Sequence, residues 1–244
     1  MHYTKFSLIT LCMDRWVQLA QSFTTWMMQD YPSIEHIVVL AGDDDAPQAI
    51  THHESFAGKL IRVRNSPFFR PSHYRNLGAT HATGEYLGFI DADMLTTSNQ
   101  WISHCVNTLR TCADLVVTQA LYDGVDSGGH SGTCAIARWL FEKIRGYNEN
   151  LDECWGYEDT DFYIRAQRAG GRVFCFPDSM LTHQPHTDDD RARYFKLTEF
   201  GPRTPRVFVR QMRICDHDED IHPYEANRVR RTSFPLEIVT MIEK

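Results

Sequence analysis

The chain has 244 residues, 42% of them hydrophobic, which suits one large domain with a full core, or one domain with an appendage. Its formal net charge of −7 at pH 7 argues against bulk electrostatic binding of nucleic acid. Seven scattered cysteines without a C-x-x-C pair favour reduced thiols. The sequence contains neither an 18-residue apolar run nor a signal peptide. We therefore expect a cytoplasmic protein without a transmembrane segment, either free or peripheral to the inner face of the membrane.

The N-terminal part alternates apolar strands with amphipathic helices. We predict strands at residues 6–12, 36–41, 59–64 and 85–90, and helices at 15–28 and 72–82. Asp14 and Ser72 stand where the N-caps of the two helices are expected. The order β-α-β-β-α-β with apolar strands predicts an α/β fold, in which helices flank a mostly parallel central sheet.

The C-terminal part is predicted to contain shorter elements and longer loops. Helices are expected at residues 100–112, 139–144 and 159–169, and strands at 115–119, 133–137, 172–176 and 180–182, with a short apolar terminal element at 236–242. Loops are expected at residues 122–131 and 146–158, and residues 187–231 are charged and irregular. A charged stretch of this kind is usually a solvated surface, and its functional alternative is a lid that excludes water from a bound ligand.

Two carboxylates one residue apart follow the fourth strand of the predicted sheet. Asp91 and Asp93 come directly after the apolar residues 87–90, at the carboxyl end where ligands of open parallel sheets bind. Carboxylate oxygens at such a position suit Mn²⁺ or Mg²⁺. Because short acidic pairs also occur in solvated turns, the metal prediction depends on the strand in front of them.

A second acidic cluster, EDTD at residues 158–161, follows the turn WGY at residues 155–157. A carboxylate in such a turn can take the proton of a substrate hydroxyl, whereas capping of the following helix is the structural alternative. Asp161 fits the structural alternative better, since it lies in the first helical turn. Metal-binding carboxylates together with a distant acid favour sugar transfer from a nucleotide-sugar.

Six short motifs occur in order between about residues 6 and 190. They are SLIT at residues 7–10, RNLGA at 75–79, IDAD at 90–93, GYNE at 146–149, WGYEDTD at 155–161 and HQPH at 183–186. Together they resemble GT-A glycosyltransferases of the family 2 type, with a C-terminal half similar to Golgi β-galactosyltransferases and bacterial chondroitin polymerases. Two departures are CMDR at residues 12–15, where that family usually has Thr-x-Asn-Arg, and Tyr157, which replaces the second glycine of the acidic turn.

The resemblance implies the GT-A fold of nucleotide-diphospho-sugar transferases over residues 1–190. Residues 1 to about 95 would form the nucleotide-binding part, and about 96–190 the acceptor part. Residues 191–244 are then expected to be a C-terminal extension or lid packed on the same domain. The implied partners are a nucleotide-sugar donor and a saccharide or glycoconjugate acceptor, with Mn²⁺ or Mg²⁺ as the cofactor.

The resemblance also assigns side chains to the nucleotide-sugar. Asp43 or Asp44, after the second strand, is expected to receive the base or ribose, and the alternative is a solvated acidic loop. Arg75 is expected at the diphosphate or the base, and otherwise would be an exposed helix residue. Thr10 and Asp91 complete this predicted site, with Asp91 at the ribose or at a metal-bound water.

The implied metal ligands come from two parts of the chain. Asp93 is expected to bind the metal directly, with Asp91 beside it. His183 or His186 is expected to supply the remaining protein ligand, because imidazole suits Mn²⁺ beside carboxylate and phosphate oxygens. A lone histidine is more often structural, and the alignment leaves open which of the two binds.

The implied catalytic residues lie in the second acidic cluster. Asp159 is expected to act as the base toward the acceptor hydroxyl, and Glu158 to orient the acceptor or the donor sugar. Trp155 and Tyr157 are expected on the acceptor side. Trp155 would be a stacking platform for a sugar ring, and core packing is its alternative.

These assignments predict a metal-dependent glycosyltransferase that uses a UDP-linked sugar and inverts C1, with retention left open. One alternative is a sugar-1-phosphate nucleotidyltransferase, which would normally have a glycine-rich loop after the first strand, where residues 12–15 contain no glycine. Another is a non-catalytic carbohydrate-binding domain. The sequence indicates neither the donor sugar, the acceptor, the linkage nor the oligomeric state.

Overall fold

The computed structural model describes residues 3–42, 58–64, 66, 68–122, 125–126, 132–152, 158–185 and 237–243. The strands are β1 (Phe6–Met13), β2 (Ile34–Ala41), β3 (Gly58–Arg64), β4 (Tyr86–Asp91), β5 (Met94–Thr96), β6 (Leu115–Tyr122), β7 (Val125–Asp126), β8 (Cys134–Ala137), β9 (Val173–His183) and β10 (Glu237–Glu243). The helices are α1 (Trp16–Met27), α2 (Pro71–His81), α3 (Trp101–Thr111), α4 (Arg138–Lys143) and α5 (Glu158–Arg168), with a 3₁₀ turn at Glu149–Leu151. Among the described helices, none has both the length and the apolar character needed to cross a bilayer.

The described strands form one ten-stranded sheet, in the order β10-β3-β2-β1-β4-β8-β6-β9-β5, with β7 paired to β6. Strands β3, β2, β1 and β4 are parallel, as are β6 and β9. The other pairings, which involve β10, β8, β7 and β5, are antiparallel. The prediction of an α/β fold with a mostly parallel central sheet is confirmed.

Both faces of the sheet are covered by helices, which explains why its central strands are mostly apolar. In β1 all residues but the last are buried. On one face, α1 and α3 bring Trp26 and Trp101 together edge to face, with ring centroids 5.1 Å apart. On the other face, Phe162 of α5 stacks on Tyr147 with centroids 4.0 Å apart. This second aromatic pair lies beneath the predicted catalytic residues at the start of α5.

The predicted helix caps are wrong. Helix α2 begins at Pro71, so Ser72 lies inside its first turn. This helix end is instead capped from a distance, because Asp152 accepts hydrogen bonds from the backbone N–H groups of Ser72 and the next residue, at 2.7 and 2.9 Å. Helix α1 has Arg15 at its N-cap position without a side-chain cap, and Asp14 lies in the left-handed region with φ of 52°.

The C-terminal half also differs from the predicted pattern. Strand β9 is continuous over residues 173–183, where the sequence predicts two strands. Its register with β6 shifts between Thr118, which pairs with Phe176, and Ala120, which pairs with Leu181. Strand β5, which the sequence does not predict, pairs with the end of β9. Part of the predicted 122–131 loop is the β6–β7 hairpin.

Candidate active site

The carboxyl ends of β1 and β4 lie side by side. Their parallel register pairs Thr10 with Ile90 and Leu11 with Asp91. Strand β4 ends at Asp91, and the chain turns through Asp93 into β5. Thr10 is buried inside β1. This edge of the sheet therefore contains three of the residues predicted to face the nucleotide-sugar or the metal.

Arg75, on α2, joins three carboxylates at this edge. Its guanidinium donates from Nη2 to Asp91 Oδ1 (3.0 Å) and from Nη1 to Glu158 Oε1 (3.1 Å). The same Nη1 lies 3.2 Å from Asp159 Oδ1. The arginine is 2% exposed, and its guanidinium carbon lies 4.8 Å from the centroid of the Tyr147 ring. Arg75 thus connects the end of β4 with the start of α5, two regions that the sequence assigns to donor and acceptor.

The cluster around Arg75 holds more negative than positive charge. Burial alone lowers the pKa of Arg75, but Asp159, Asp91 and Glu158 outweigh that effect and raise it well above its ordinary value, so the guanidinium stays charged. Burial also raises the pKa of Asp159, which Arg75 opposes and the neighbouring carboxylates reinforce. A carboxylate whose proton affinity is raised in this way suits a general base.

Glu158 and Asp161 have different surroundings although both lie in the first turn of α5. Glu158 uses Oε1 for Arg75, while its Oε2 is buried and has no hydrogen-bond partner among the described residues. A buried acceptor without a partner costs free energy, so a ligand hydroxyl or water is expected at Oε2. Asp161 instead accepts a 2.7 Å hydrogen bond from Arg165 on the same helix. This contact agrees with a structural role for Asp161.

Asp93 and His183 come together because β5 and β9 pair in the antiparallel direction, with Met94 opposite His183. Asp93 Oδ1 lies 4.0 Å from His183 Nδ1, and the backbone N–H of Gln184 donates to the carbonyl of Asp93 at 2.8 Å. The other carboxylate oxygen of Asp93, Oδ2, accepts a 2.9 Å hydrogen bond from Arg15 Nη1. The sheet thus joins residues that are far apart in the chain.

The Asp93–His183 pair fits a divalent cation that is bound together with a diphosphate. In the described ranges, no three or more His, Cys, Asp or Glu side chains converge as a complete metal site. Mg²⁺ sites often use one or two carboxylates and take their other ligands from phosphate and water, and Mn²⁺ accepts the same oxygen donors together with imidazole. Both Asp91 and Asp93 contact an arginine, but only Asp93 has an imidazole beside its second carboxylate oxygen, so Asp93 and His183 are the better candidates for direct ligands.

Asn76, next to Arg75, ties the GYNE motif to α2. Its side chain donates to the carbonyl of Tyr147 and to Glu149 Oε1, both at 2.9 Å, and accepts from the N–H of Tyr147 at 2.8 Å. Gly146 has φ of 69°, and a Cβ at this position would lie 2.4 Å from Asn76 Oδ1. These contacts hold the Tyr147 ring against Arg75.

Residues 7–166 match the model of glycosyl transferase family 2, and this segment includes every side chain of the Arg75 cluster. The chain belongs to glycosyl transferase family 2. The predicted membership of this family is therefore confirmed, and five of the six motifs lie within the matched segment.

Two curated relatives are similar in sequence to this family 2 chain. Probable N-acetylgalactosaminyltransferase 7 of Caenorhabditis elegans is 23% identical over 224 residues, covering 70% of this chain and 37% of the relative. Succinoglycan biosynthesis protein ExoM of Rhizobium meliloti (strain 1021) is 26% identical over 208 residues, covering 72% and 66%. The chain thus spans about a third of the first relative and about two-thirds of the second.

The fold is shared with mannosyltransferase PcManGT from Pyrobaculum calidifontis, solved in complex with GDP-Man and Mn²⁺. The TM-score is 0.65 at 19% identity, covering 88% of this chain and 69% of that one. This likeness confirms the GT-A fold that the motifs predict.

Three residues of this family 2 site are not found by reading the sequence. Arg15 stands in the divergent CMDR segment, and its contact with Asp93 spans 78 positions, so no local pattern indicates it. Tyr147 is part of the GYNE motif, which gives no reason to place it against Arg75. Gly132 approaches Asp91 so closely that a Cβ there would lie 2.5 Å from Oδ2.

Five predicted site residues of this family 2 chain lie outside the described residues. Their predicted roles concern the base or ribose, the acceptor and the metal. They are Asp43, Asp44, Trp155, Tyr157 and His186.

Proposed function

We propose that this family 2 protein is a metal-dependent glycosyltransferase that moves a sugar from a UDP-linked donor to a hydroxyl of a saccharide or glycoconjugate. The observation that carries the proposal is the convergence of Asp91, Glu158 and Asp159 on Arg75, beside the Asp93–His183 pair. Carboxylates suited to the donor and to the acceptor are thereby brought to one end of the sheet. Sugar transfer needs both, because the departing diphosphate and the attacking hydroxyl meet at C1.

The donor side is formed by strand-end residues. Asp93 and His183 would hold Mn²⁺ or Mg²⁺. Asp91, held by Arg75, would accept a hydrogen bond from a ribose hydroxyl or from a metal-bound water. When bound, the cation supplies a Lewis acid that offsets the negative charge on the departing nucleoside diphosphate. Thr10 and one of the acids Asp43 and Asp44 would contact the nucleoside.

The acceptor side is formed by the start of α5. Asp159 accepts the proton of the acceptor hydroxyl as that oxygen attacks C1 of the donor sugar. Arg75 forms an ion pair with the Asp159 carboxylate, with Nη1 3.2 Å from Oδ1. The buried Glu158 Oε2 accepts a hydrogen bond from a sugar hydroxyl and so orients the acceptor or the donor. Trp155 and Tyr157 would pack on the acceptor.

Inversion follows if Asp159 acts as a base and not as a nucleophile, because a single displacement reverses the configuration at C1. Proton NMR of the first product from an α-linked donor should then show a β linkage. An α linkage would contradict inversion and leave sugar transfer itself unaffected.

Sugar transfer is tested with a panel of UDP- and GDP-sugars in Mn²⁺, by measuring nucleoside diphosphate release with and without saccharide acceptors. GDP-sugars belong in the panel because the PcManGT structure contains GDP-Man. The wild type should release nucleoside diphosphate from at least one donor. Asp159→Asn should keep donor binding and lose transfer by about 10²–10⁴-fold. Release from no donor would contradict the proposal, and transfer by Asp159→Asn at the wild-type rate would move the base role to Glu158.

A further inference from the structure

Arg15 makes a contact that the proposed metal site does not explain. Its Nη1 lies 2.9 Å from Asp93 Oδ2, so the carboxylate expected to bind metal is already paired with a cation. His183 Nδ1 lies 4.0 Å from the other oxygen of the same carboxylate. The Arg15 side chain is 22% exposed, whereas that of Asp93 is 6% exposed. Solvent therefore reaches the arginine more readily than the carboxylate.

The backbone holds Arg15 beside Asp93 even though its side chain can rotate. The preceding residue, Asp14, adopts φ of 52°, and Arg15 is the N-cap of α1. Gln184, the neighbour of His183, donates from Nε2 to the carbonyl of Gln18 at 2.8 Å. The first turn of α1 is therefore tied to the strand end that carries His183. Separation of the guanidinium from Asp93 requires a change of side-chain rotamer, not a shift of the helix.

We propose that Arg15 and a divalent cation compete for Asp93, so that metal binds tightly only together with a nucleoside diphosphate. This inference rests on the proposed function. Two cations beside one carboxylate repel each other. A diphosphate adds negative charge and paired oxygens that suit the planar guanidinium. Arg15 then passes from Asp93 to the phosphate as the metal binds Asp93 and His183.

The competition makes metal and nucleotide binding cooperative, and by linkage each ligand raises the affinity for the other by the same factor. Free Mn²⁺ would be poorly retained in the empty enzyme. The enzyme would therefore recognise the diphosphate of the donor before the metal can activate the leaving group.

The test measures binding of MnCl₂ to the intact protein through loss of the EPR signal of hexaaqua Mn²⁺, first alone and then with UDP or GDP. The wild type should bind Mn²⁺ at least about tenfold more tightly with its preferred nucleotide, within the usual range for coupled ligands. Arg15→Gln should bind Mn²⁺ alone at least about tenfold more tightly than the wild type and gain less from nucleotide. Arg15→Lys keeps the charge but not the planar fork, and should fall between the two.

Matched variants separate competition at Asp93 from a general effect of charge. Arg110→Gln removes the same charge from the exposed side of α3 and should leave Mn²⁺ binding unchanged. Adding Asp93→Asn to Arg15→Gln should abolish the gained affinity.

Two outcomes would overturn different claims. Equal affinities for Mn²⁺ alone in the wild type, Arg15→Gln and Arg15→Lys would overturn the competition at Asp93, even if nucleotide still promoted Mn²⁺ binding as the proposed function requires. Failure of the wild type to bind Mn²⁺ with either nucleotide would overturn the proposed metal dependence itself.

Discussion

At the residue scale, one arginine holds three carboxylates that would otherwise repel each other. Arg75 contacts Asp91 through Nη2 and Glu158 and Asp159 through Nη1, whereas a lysine carries its three donors on a single nitrogen. The arrangement gathers the proposed base, Asp159, and two other carboxylates around one cation. Removal of this cation should therefore affect both folding and donor binding.

Arg75→Met should lower the free energy of unfolding by about 3–5 kcal/mol, the usual cost of leaving a buried ion pair without one partner. Arg75→Lys should lose less stability but still lose transfer, because one ammonium nitrogen cannot replace both Nη2, beside Asp91, and Nη1, beside the two acids of α5. Urea unfolding measures both variants, with Arg110→Met on the exposed side of α3 as the matched control. Unfolding of Arg75→Met at the wild-type urea concentration would contradict this role.

Asp159 should make the wild type less stable as pH rises. Burial raises its pKa in the folded protein, so the folded state binds this proton more tightly than the unfolded state, where the pKa is about 3.9. This contribution to the free energy of unfolding is present below pH 4 or so and is lost as pH rises through the folded pKa. The Asp159→Asn side chain cannot ionise, so the stability of this variant does not show this loss as pH rises.

Urea unfolding of the wild type and Asp159→Asn across a pH series isolates this contribution. The stability of the variant relative to the wild type should increase as pH rises. A relative stability that decreases with pH would mean that the Arg75 ion pair outweighs the burial of Asp159.

His183→Ala should weaken Mn²⁺ binding in the presence of UDP or GDP more than His186→Ala does. The reason is that His183 Nδ1 lies 4.0 Å from Asp93 Oδ1, held there by the β5–β9 pairing. Calorimetric titration of the two variants compares them directly. The reverse order would assign the ligand role to His186.

At the element scale, helix α2 depends on a cap from a distant part of the chain. Asp152 accepts hydrogen bonds from two backbone N–H groups at the start of this helix, which also carries Arg75. Asp152→Ala should lower the free energy of unfolding by about 1–3 kcal/mol, because buried donors lose their partners. Asp152→Asn keeps one acceptor and should lose less. Equal urea midpoints for Asp152→Ala and the wild type would rule out this capping role.

The sequence predicts a helix or strand well where the apolar residues of that element recur at the spacing typical of it. Strands β1 to β4 and helices α1 and α2 lie within a few residues of their predicted bounds for this reason. Strand β5 has three residues and no period, and it exists because it pairs with the end of β9. The Asp152 cap cannot be predicted from local sequence either, because it depends on a contact between residues 80 positions apart.

At the scale of the whole molecule, the sheet joins a parallel half to a mixed half, and the candidate site spans both. Thr10 and Asp91 belong to the parallel strands, while His183 ends β9 in the other half. Strand-end carboxylates are predictable because the ends of apolar strands are visible in the sequence. The contacts of Arg15 and Arg75 are not, because Arg15 meets Asp93 only through the pairing of β1 with β4, and Arg75 meets Glu158 and Asp159 only where α5 packs beside α2.

The most direct test of metal-dependent sugar transfer at this site measures nucleoside diphosphate release from the preferred donor with Mn²⁺, after EDTA, and in Asp93→Ala. We predict release by the wild type with Mn²⁺, its loss in EDTA and its recovery on addition of excess Mn²⁺. Asp93→Ala should release none while still unfolding cooperatively in urea. Full release by the wild type in EDTA, or by Asp93→Ala in Mn²⁺, would contradict the assignment of this site.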